Sequence, residues 1–443
     1  MNTGSKAIIT MSFTLLLWGP AVSGQQPNKE WTLRNCIDYA LQNNIQIKLS
    51  QVGVKVNEAS YEQSKAERIP TLNAGVGQSF THQKPLQGSS STEASAFTGN
   101  YNLNSDVILY NGSKISNTIA QQELNVKSAN LGVAINQDNI ELAVTSAYLT
   151  VLYARESVNN ALNTLSASEA TVHQAKIKYD AGYIAESNYA QIQAQYSTDS
   201  YNLVTARNTL SQQLLNLKQL LELDISQDLN LYFPELSDSA ILMPIPNKLD
   251  VYNTALGFMP EIENGKVSIN VAEYGIKIAK AGQLPSLSLG ASALTGNSTA
   301  VNNGFTTQLS DKFYQNVGMT LSVPIFNNKQ VKTSISKAKL GLETAKLNYA
   351  GIQKTLQSNI ETAYLNAVSA QSRFKAAEEQ LNSTNKSYTL VQEQFNLGMK
   401  NTVDLLSEKI KNLAAQEEYL QAKYSAILYY KLLDFYQNKR IDL

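Results

Sequence analysis

Few residues in this 443-residue sequence are of a type that does covalent chemistry. The single cysteine, Cys36, cannot form an intrachain disulfide or an all-cysteine metal site. The two histidines, His82 and His173, lie far apart and leave no cluster for a metal or a catalytic triad. Acidic residues are scattered, and no nucleotide-binding loop or metal-spaced motif occurs, so the sequence reads as a protein that is not an enzyme and uses no cofactor. Cys36 reads as a packing residue within a helix, and His173 as a polar-face residue of a long one. Lys plus Arg (36) balances Asp plus Glu (36), so no basic field exists to attract nucleic acid. What remains is a turn that occurs twice. Tyr179-Asp180-Ala181-Gly182 is followed by Ser187-Asn188-Tyr189, and Phe395-Asn396-Leu397-Gly398 by Val403-Asp404-Leu405-Leu406. Gly182 and Gly398 suit helix-terminating positions, with Ser187 and Thr402 as caps of the returning helices. Asp404 then lies where a helix start favours a negative charge.

The turns belong to a larger duplication. Ala40-Leu41 matches Ala255-Leu256, Ile69-Pro70 matches Leu284-Pro285, Tyr110-Asn111-Gly112 matches Phe326-Asn327-Asn328, and Ala147-Tyr148-Leu149 matches Ala363-Tyr364-Leu365. All of these, and the two glycine turns, keep a separation of about 215 residues. The repeats are expected over 25–222 and 248–438, joined by a linker over 223–247 that contains Pro234, Pro244 and Pro246, with a short tail over 439–443. Ahead of them, Lys6, the apolar run from Ile8 to Trp18 and the small residues ending at Gly24 read as a cleavable export signal over 1–24. That run is shorter than the roughly 20 residues that span a bilayer, and no later segment supplies a spanning helix.

Within each repeat, helical patterns (Leu33 to about Arg68, Leu249 to about Gly282) stop before Pro70 and Pro285. The period then changes to two. Strands are expected over about 71–84 and 94–109, and over 284–296 and 313–325. Phe97, Tyr101, Leu103, Val107 and Leu109 share one side, as do Phe313, Val317, Met319, Leu321, Val323 and Ile325. Such strands are long enough to cross a membrane, which needs about 9 to 11 residues, although soluble hairpins share the pattern. Proline-free stretches follow, from Ser113 to Tyr179 and from Lys329 to Phe395, and predict long hairpins over 113–222 and 329–438. In the first, Ile135, Leu142 and Leu149 form one apolar line and Val144, Val151 and Val158 another, on nearly opposite sides. A helix in a closed cylinder needs a neighbour on each side, whereas a two-stranded coiled coil needs one seam. Four strands cannot close a membrane barrel alone, so the chain must oligomerise; a trimer and a dimer both satisfy the strand count. Charged residues make up only 16% of the chain against a usual share of about 25%, as expected if part of the surface does not face water.

This arrangement resembles the TolC-like outer membrane efflux protein family, over essentially all of the chain beyond the export signal. The repeated turn after a long proline-free helix carries the resemblance. It implies a mixed α/β membrane protein: a homotrimeric outer-membrane β-barrel, four strands per chain, continuous with a long periplasmic α-helical barrel. It also implies a passive exit duct for efflux or type I secretion in a Gram-negative cell, inserted in outer-membrane lipid and working with a periplasmic adaptor and an inner-membrane transporter. A structural secretion or adhesion assembly is the alternative. In the family the hairpin tips narrow the pore. The resemblance places Asp404 at an acidic constriction, Lys400 at a basic latch facing Ser187, and Phe395 and Asn188 where a tyrosine and an aspartate pair. Phe395 has no phenolic hydroxyl, so that latch cannot form here. Ser407 stands where a second acidic residue occurs, with Glu408 as a nearby source of negative field.

Overall fold

The computed structural model describes residues 30–84, 94–234 and 241–443. The export signal expected over 1–24 and part of the linker expected over 223–247 lie outside the described residues. In chain order the elements are α1 (Leu33–Asn43), α2 (Ile45–Ala66), β1 (Thr71–Gln83), β2 (Ala94–Tyr110), α3 (Lys114–Asp180), α4 (Glu186–Leu220), α5 (Lys248–Phe258), α6 (Pro260–Ala281), β3 (Ser286–Ser298), α7 (Phe305–Asp311), β4 (Tyr314–Ser322), α8 (Gln330–Asn396) and α9 (Thr402–Tyr436). Apart from α7, inserted between β3 and β4, the second set repeats the order of the first.

Helix boundaries follow local chemistry. Asn44 separates α1 from α2, and its side chain accepts the Gln46 N–H at 2.9 Å. Pro260 occupies the first turn of α6, where its missing N–H costs nothing. With no proline to interrupt them, α3 and α8 each run for 67 residues, about 100 Å at the rise of an α-helix. Two strands differ from the ranges implied by alternation. β3 occupies Ser286–Ser298 instead of 284–296, because Pro285 has no N–H for the ladder. β4 occupies Tyr314–Ser322 instead of 313–325: the Phe313 N–H is taken by the Ser310 carbonyl at 3.2 Å, and Pro324 lacks a donor.

The core forms a collar part-way along the long helices, where α1 packs on α3 and α5 on α8. Tyr148 and Phe374 are fully buried there, beside Leu33, Ile37, Val144 and Ile360. The Tyr148 hydroxyl donates to the Tyr232 carbonyl at 2.5 Å, tying the segment after α4 to α3. Cys36 is buried in this collar, and desolvation pushes its thiol up to about 12, so it packs as a small apolar residue.

The strands form one antiparallel sheet in the order β1-β2-β3-β4. Ala74 pairs with Leu103, Leu103 with Ala293, Ala291 with Val317 and Leu289 with Met319, which fixes one apolar face. That face carries Leu72, Val76, Phe80, Phe97, Leu287, Leu289, Met319 and Leu321. By the period of two, the other face carries Asn73, Asn100, Asn102, Asn104, Asp106, Ser292 and Asn316. The helices beyond the sheet are ordered in the same way. α2 packs on α3, α3 on α6 and α6 on α8. Each strand adjoins one of these helices: β1 follows α2, β2 precedes α3, β3 follows α6 and β4 precedes α8. Further from the sheet, α4 packs on α3, α3 on α9 and α9 on α8.

Candidate functional site

The two hairpins turn at the end remote from the sheet, and both turns have the same geometry. Gly182 has φ +75° and Gly398 φ +78°, the left-handed region that a side chain disfavours. The Tyr183 N–H bonds back to the Lys178 carbonyl at 2.8 Å and the Met399 N–H to the Gln394 carbonyl at 2.8 Å; Gly182 and Gly398 bond to the carbonyls of Tyr179 and Phe395. Each is a Schellman closure that satisfies the last carbonyls of a long helix. The expected caps of the return helices are corrected by one or two residues. α4 begins at Glu186 with Ala185 at the capping position, so Ser187 is already inside the helix and exposed. α9 begins at Thr402, and the cap is Asn401, whose side chain accepts the Asp404 N–H at 2.9 Å. Asn401 takes the amide, while the buried Thr402 hydroxyl finds no partner among the described residues.

Asp404 stands in the first turn of α9, half-exposed, with the Lys400 ammonium 3.6 Å from its carboxylate. Lys400 thus has a carboxylate partner on its own hairpin. Phe395 is buried with Ala175, Ile192 and Leu405 in a small apolar cluster between the hairpins. Asn188 donates its backbone N–H to Ala185, and among the described residues no hydrogen bond joins it to Phe395. Ser407 is exposed. Glu408 accepts from Ser387 at 2.9 Å and pairs with Lys411 at 2.7 Å; the Lys411 ammonium, then the Ser387 hydroxyl, hold its carboxyl below the usual range. His173 is exposed on α3.

The tip also holds residues that the sequence did not single out. Lys178, in the last turn of α3, donates to the carbonyls of Phe395 at 3.0 Å and Asn396 at 3.1 Å, and its ammonium stands 4.7 Å from the Phe395 ring centre. A cation from one hairpin therefore caps the negative end of the long helix in the other. Deeper in, Lys409 of α9 pairs with Asp199 of α4 at 2.5 Å and bonds to Ser168 of α3. A basic residue in a last turn is a recognisable signal, but that Lys178 serves a helix more than two hundred residues away is decided by packing. Asp199 and Lys409 have no sequence signature at all.

Set beside known proteins, residues 36–222 and 251–430 match the pattern of the family described as outer membrane efflux protein. This chain belongs to that family. The outer membrane efflux proteins similar to it include BepC of Brucella suis biovar 1 (strain 1330), 22% identical over 94% of this chain and 86% of its own length. TolC of Escherichia coli (strain K12) is 22% identical over 84% of this chain and 75% of its own length. Among solved structures, the Campylobacter jejuni CmeC outer membrane channel superposes with a TM-score of 0.76 at 18% identity, covering 97% of this chain and 93% of that one. The open state of the Neisseria gonorrhoeae MtrE outer membrane channel superposes with 0.71 at 19% identity, covering 92% and 88%. The fold is that of the outer-membrane channels, and the role of an outer membrane efflux protein is export through a passive channel, not catalysis.

Proposed function

We propose that three copies of this chain close head to tail into one duct: a twelve-stranded barrel in the outer membrane continuing into a helical tunnel through the periplasm. The observation that carries this reading is the coincidence of open edges. The sheet ends at β1 and β4, and the helical layer beneath ends at α2 and α8, which adjoin those same strands. An edge made of α2 and β1 meets its complement in β4 and α8 of the next copy, a heterologous contact that repeats until the ring closes. Both sides have unpaired apolar lines. Ile45, Leu49, Val52 and Val56 on α2 follow heptad spacing and are exposed, and Leu340 and Leu347 on α8 lie one heptad apart and are exposed.

The sheet supports the same reading. Val76, Val317 and Leu72 are about 70% exposed on the apolar face, a surface that water does not tolerate over this area and lipid does. The asparagine-rich face then turns inward and lines an aqueous lumen. No helix among the described residues is long and apolar enough to cross a membrane.

At the far end, threefold symmetry copies Asp404 around the axis, and the half-exposed carboxylates form a ring that draws cations and opposes bulky anions. Lys400 holds each carboxylate, and Phe395, buried between the hairpins, replaces the polar latch with apolar packing; Asn188 and Ser187 lie in the first turn of α4 on the other hairpin. The duct itself supplies no energy, so an inner-membrane transporter and a periplasmic adaptor complete the export system. Native mass spectrometry of the detergent-extracted complex tests closure: a mass of three chains is expected, and a stable monomer overturns the duct. Conductance in planar bilayers is the second arm, since trimers that never conduct return the protein to a structural or adhesion assembly.

A further inference from the structure

Between the apolar cluster at the tips and the main core of the hairpins lies a layer of polar side chains drawn from all four long helices. Ser168 of α3, Asp199 of α4, Lys409 and Asn412 of α9 are buried, Asp199 almost completely. Lys409 Nζ contacts Asp199 Oδ2 at 2.5 Å and also reaches Ser168 Oγ, which in turn donates to the same carboxylate; Gln195 donates to Asp199 Oδ1 at 2.9 Å. At the same level Asn412 of α9 donates to Asn385 of α8 at 2.6 Å, and Gln416 donates to Asn412 at 2.8 Å. On the tip side of this layer are Ala175, Ile192, Phe395 and Leu405; on the other, Phe374, Tyr419 and Leu420.

A buried ion pair is a poor source of stability, because desolvation of both charges offsets their attraction, and apolar replacements of similar volume often hold a fold as well. Its best-attested effect is to specify register. Sliding one helix by a single residue moves it about 1.5 Å along its axis and separates partners that must sit within hydrogen-bond reach. Leu and Ala neighbours tolerate such a slide; Lys409 against Asp199 and Ser168 does not.

We propose that Lys409, Asp199 and Ser168 are positioning residues that pin the second hairpin to the first at one height and act as the fulcrum of the gate. The tips beyond the layer swing as a unit about it, while the hairpins on the sheet side stay in register. The constriction at Asp404 lies only five positions from Lys409 on the same helix, so its height relative to the first hairpin is inherited from this contact. The proposal rests on the reading of the tips as the gate.

Hydrogen exchange on the full-length assembled protein in detergent tests the fulcrum independently of conduction. The wild-type protein is expected to exchange quickly over 169–198 and 386–408 and slowly over 152–167 and 410–424, with the step at the layer. In the paired variant Lys409→Met with Asp199→Leu, which packs without charge, the fast region is expected to extend into 152–167 and 410–424, with rates there raised about tenfold. The exchanged pair Lys409→Asp with Asp199→Lys is expected to restore the step. An unchanged boundary overturns the proposal, as does a uniform rise that includes the collar around Tyr148, which marks general loss of packing. Failure of both variants to reach the native mass of the wild-type assembly also overturns it, since the pair is then an assembly element. Wild-type conductance separately reports on the duct reading.

Discussion

Asp404 combines two stabilising influences in one position. Its amide is capped by Asn401 and its carboxylate sits in the first turn of α9, so the charge complements the helix end whether or not a pore passes beside it. The roles separate under substitution. Asp404→Ala is expected to leave assembly intact while changing single-channel conductance and weakening block by multivalent cations; unchanged conductance and block remove Asp404 from the constriction. Lys178 makes a different prediction, because it bonds to carbonyls at the end of the opposite hairpin. Lys178→Met is expected to cost about 0.3–1 kcal/mol at this partly exposed helix end and to raise amide exchange at Leu397 to Met399. Asp138 on α3 supplies a pH dependence. Burial, then the nearby Glu261 and Glu141 carboxylates, raise its carboxyl to about 7 from 3.8. The folded state holds this proton more tightly than the unfolded one, so its contribution is complete below the unfolded value and is lost as pH rises through about 7. The thermal midpoint is expected to fall between about pH 4 and pH 7 and to level off above, and Asp138→Asn to flatten that fall.

At the scale of elements, the hairpin turns were legible because they are local, whereas the ends of β3 and β4 follow Pro285 and Pro324 more closely than alternation implies. Glycine at φ +75° and +78° and proline at strand boundaries act through backbone sterics and a missing donor, which residue type alone reveals. Gly398→Ala is expected to destabilise the tip by about 1–2 kcal/mol through the left-handed conformation, visible as faster exchange of the turn with the collar unaffected. The helix caps were less legible. Ser187 and Thr402 have good capping side chains, but Ala185 and Asn401 occupy the places from which the helices start, because the glycine closure fixes how many residues the turn needs. Where several capping residues stand side by side, turn geometry chooses between them.

For the whole molecule, the decisive feature is an apolar sheet face with two open edges above a helical layer whose edges coincide with them. Under the proposed duct, a charge on the apolar sheet face, which would meet lipid, therefore differs from one on α2, which would lie at the seam between copies. Val317→Arg is expected to cost about 2–4 kcal/mol where it meets the centre of the bilayer and to block outer-membrane insertion, read by fractionation. Leu49→Asp, on the exposed α2 stripe, is expected instead to shift the native mass from the closed ring toward single chains.

Periodicity, proline and glycine act over a few residues, so the sequence by itself determined the two repeats, the long hairpins, the strand faces and the turns at Gly182 and Gly398. The same patterns left the partners of each surface open. Strand order, the alignment of sheet edges with helix edges, the capping of α8 by Lys178 and the burial of Lys409 against Asp199 and Ser168 were decided only by tertiary structure. The reason is that each joins residues far apart in the chain through contacts of a few ångströms, and no local pattern records which distant side chain will fill a given gap. Phe395 lies between these cases: its lack of a hydroxyl excludes, from sequence, the tyrosine hydrogen bond that the family resemblance implies, while its packing with Ala175, Ile192 and Leu405 is visible only in the tertiary structure.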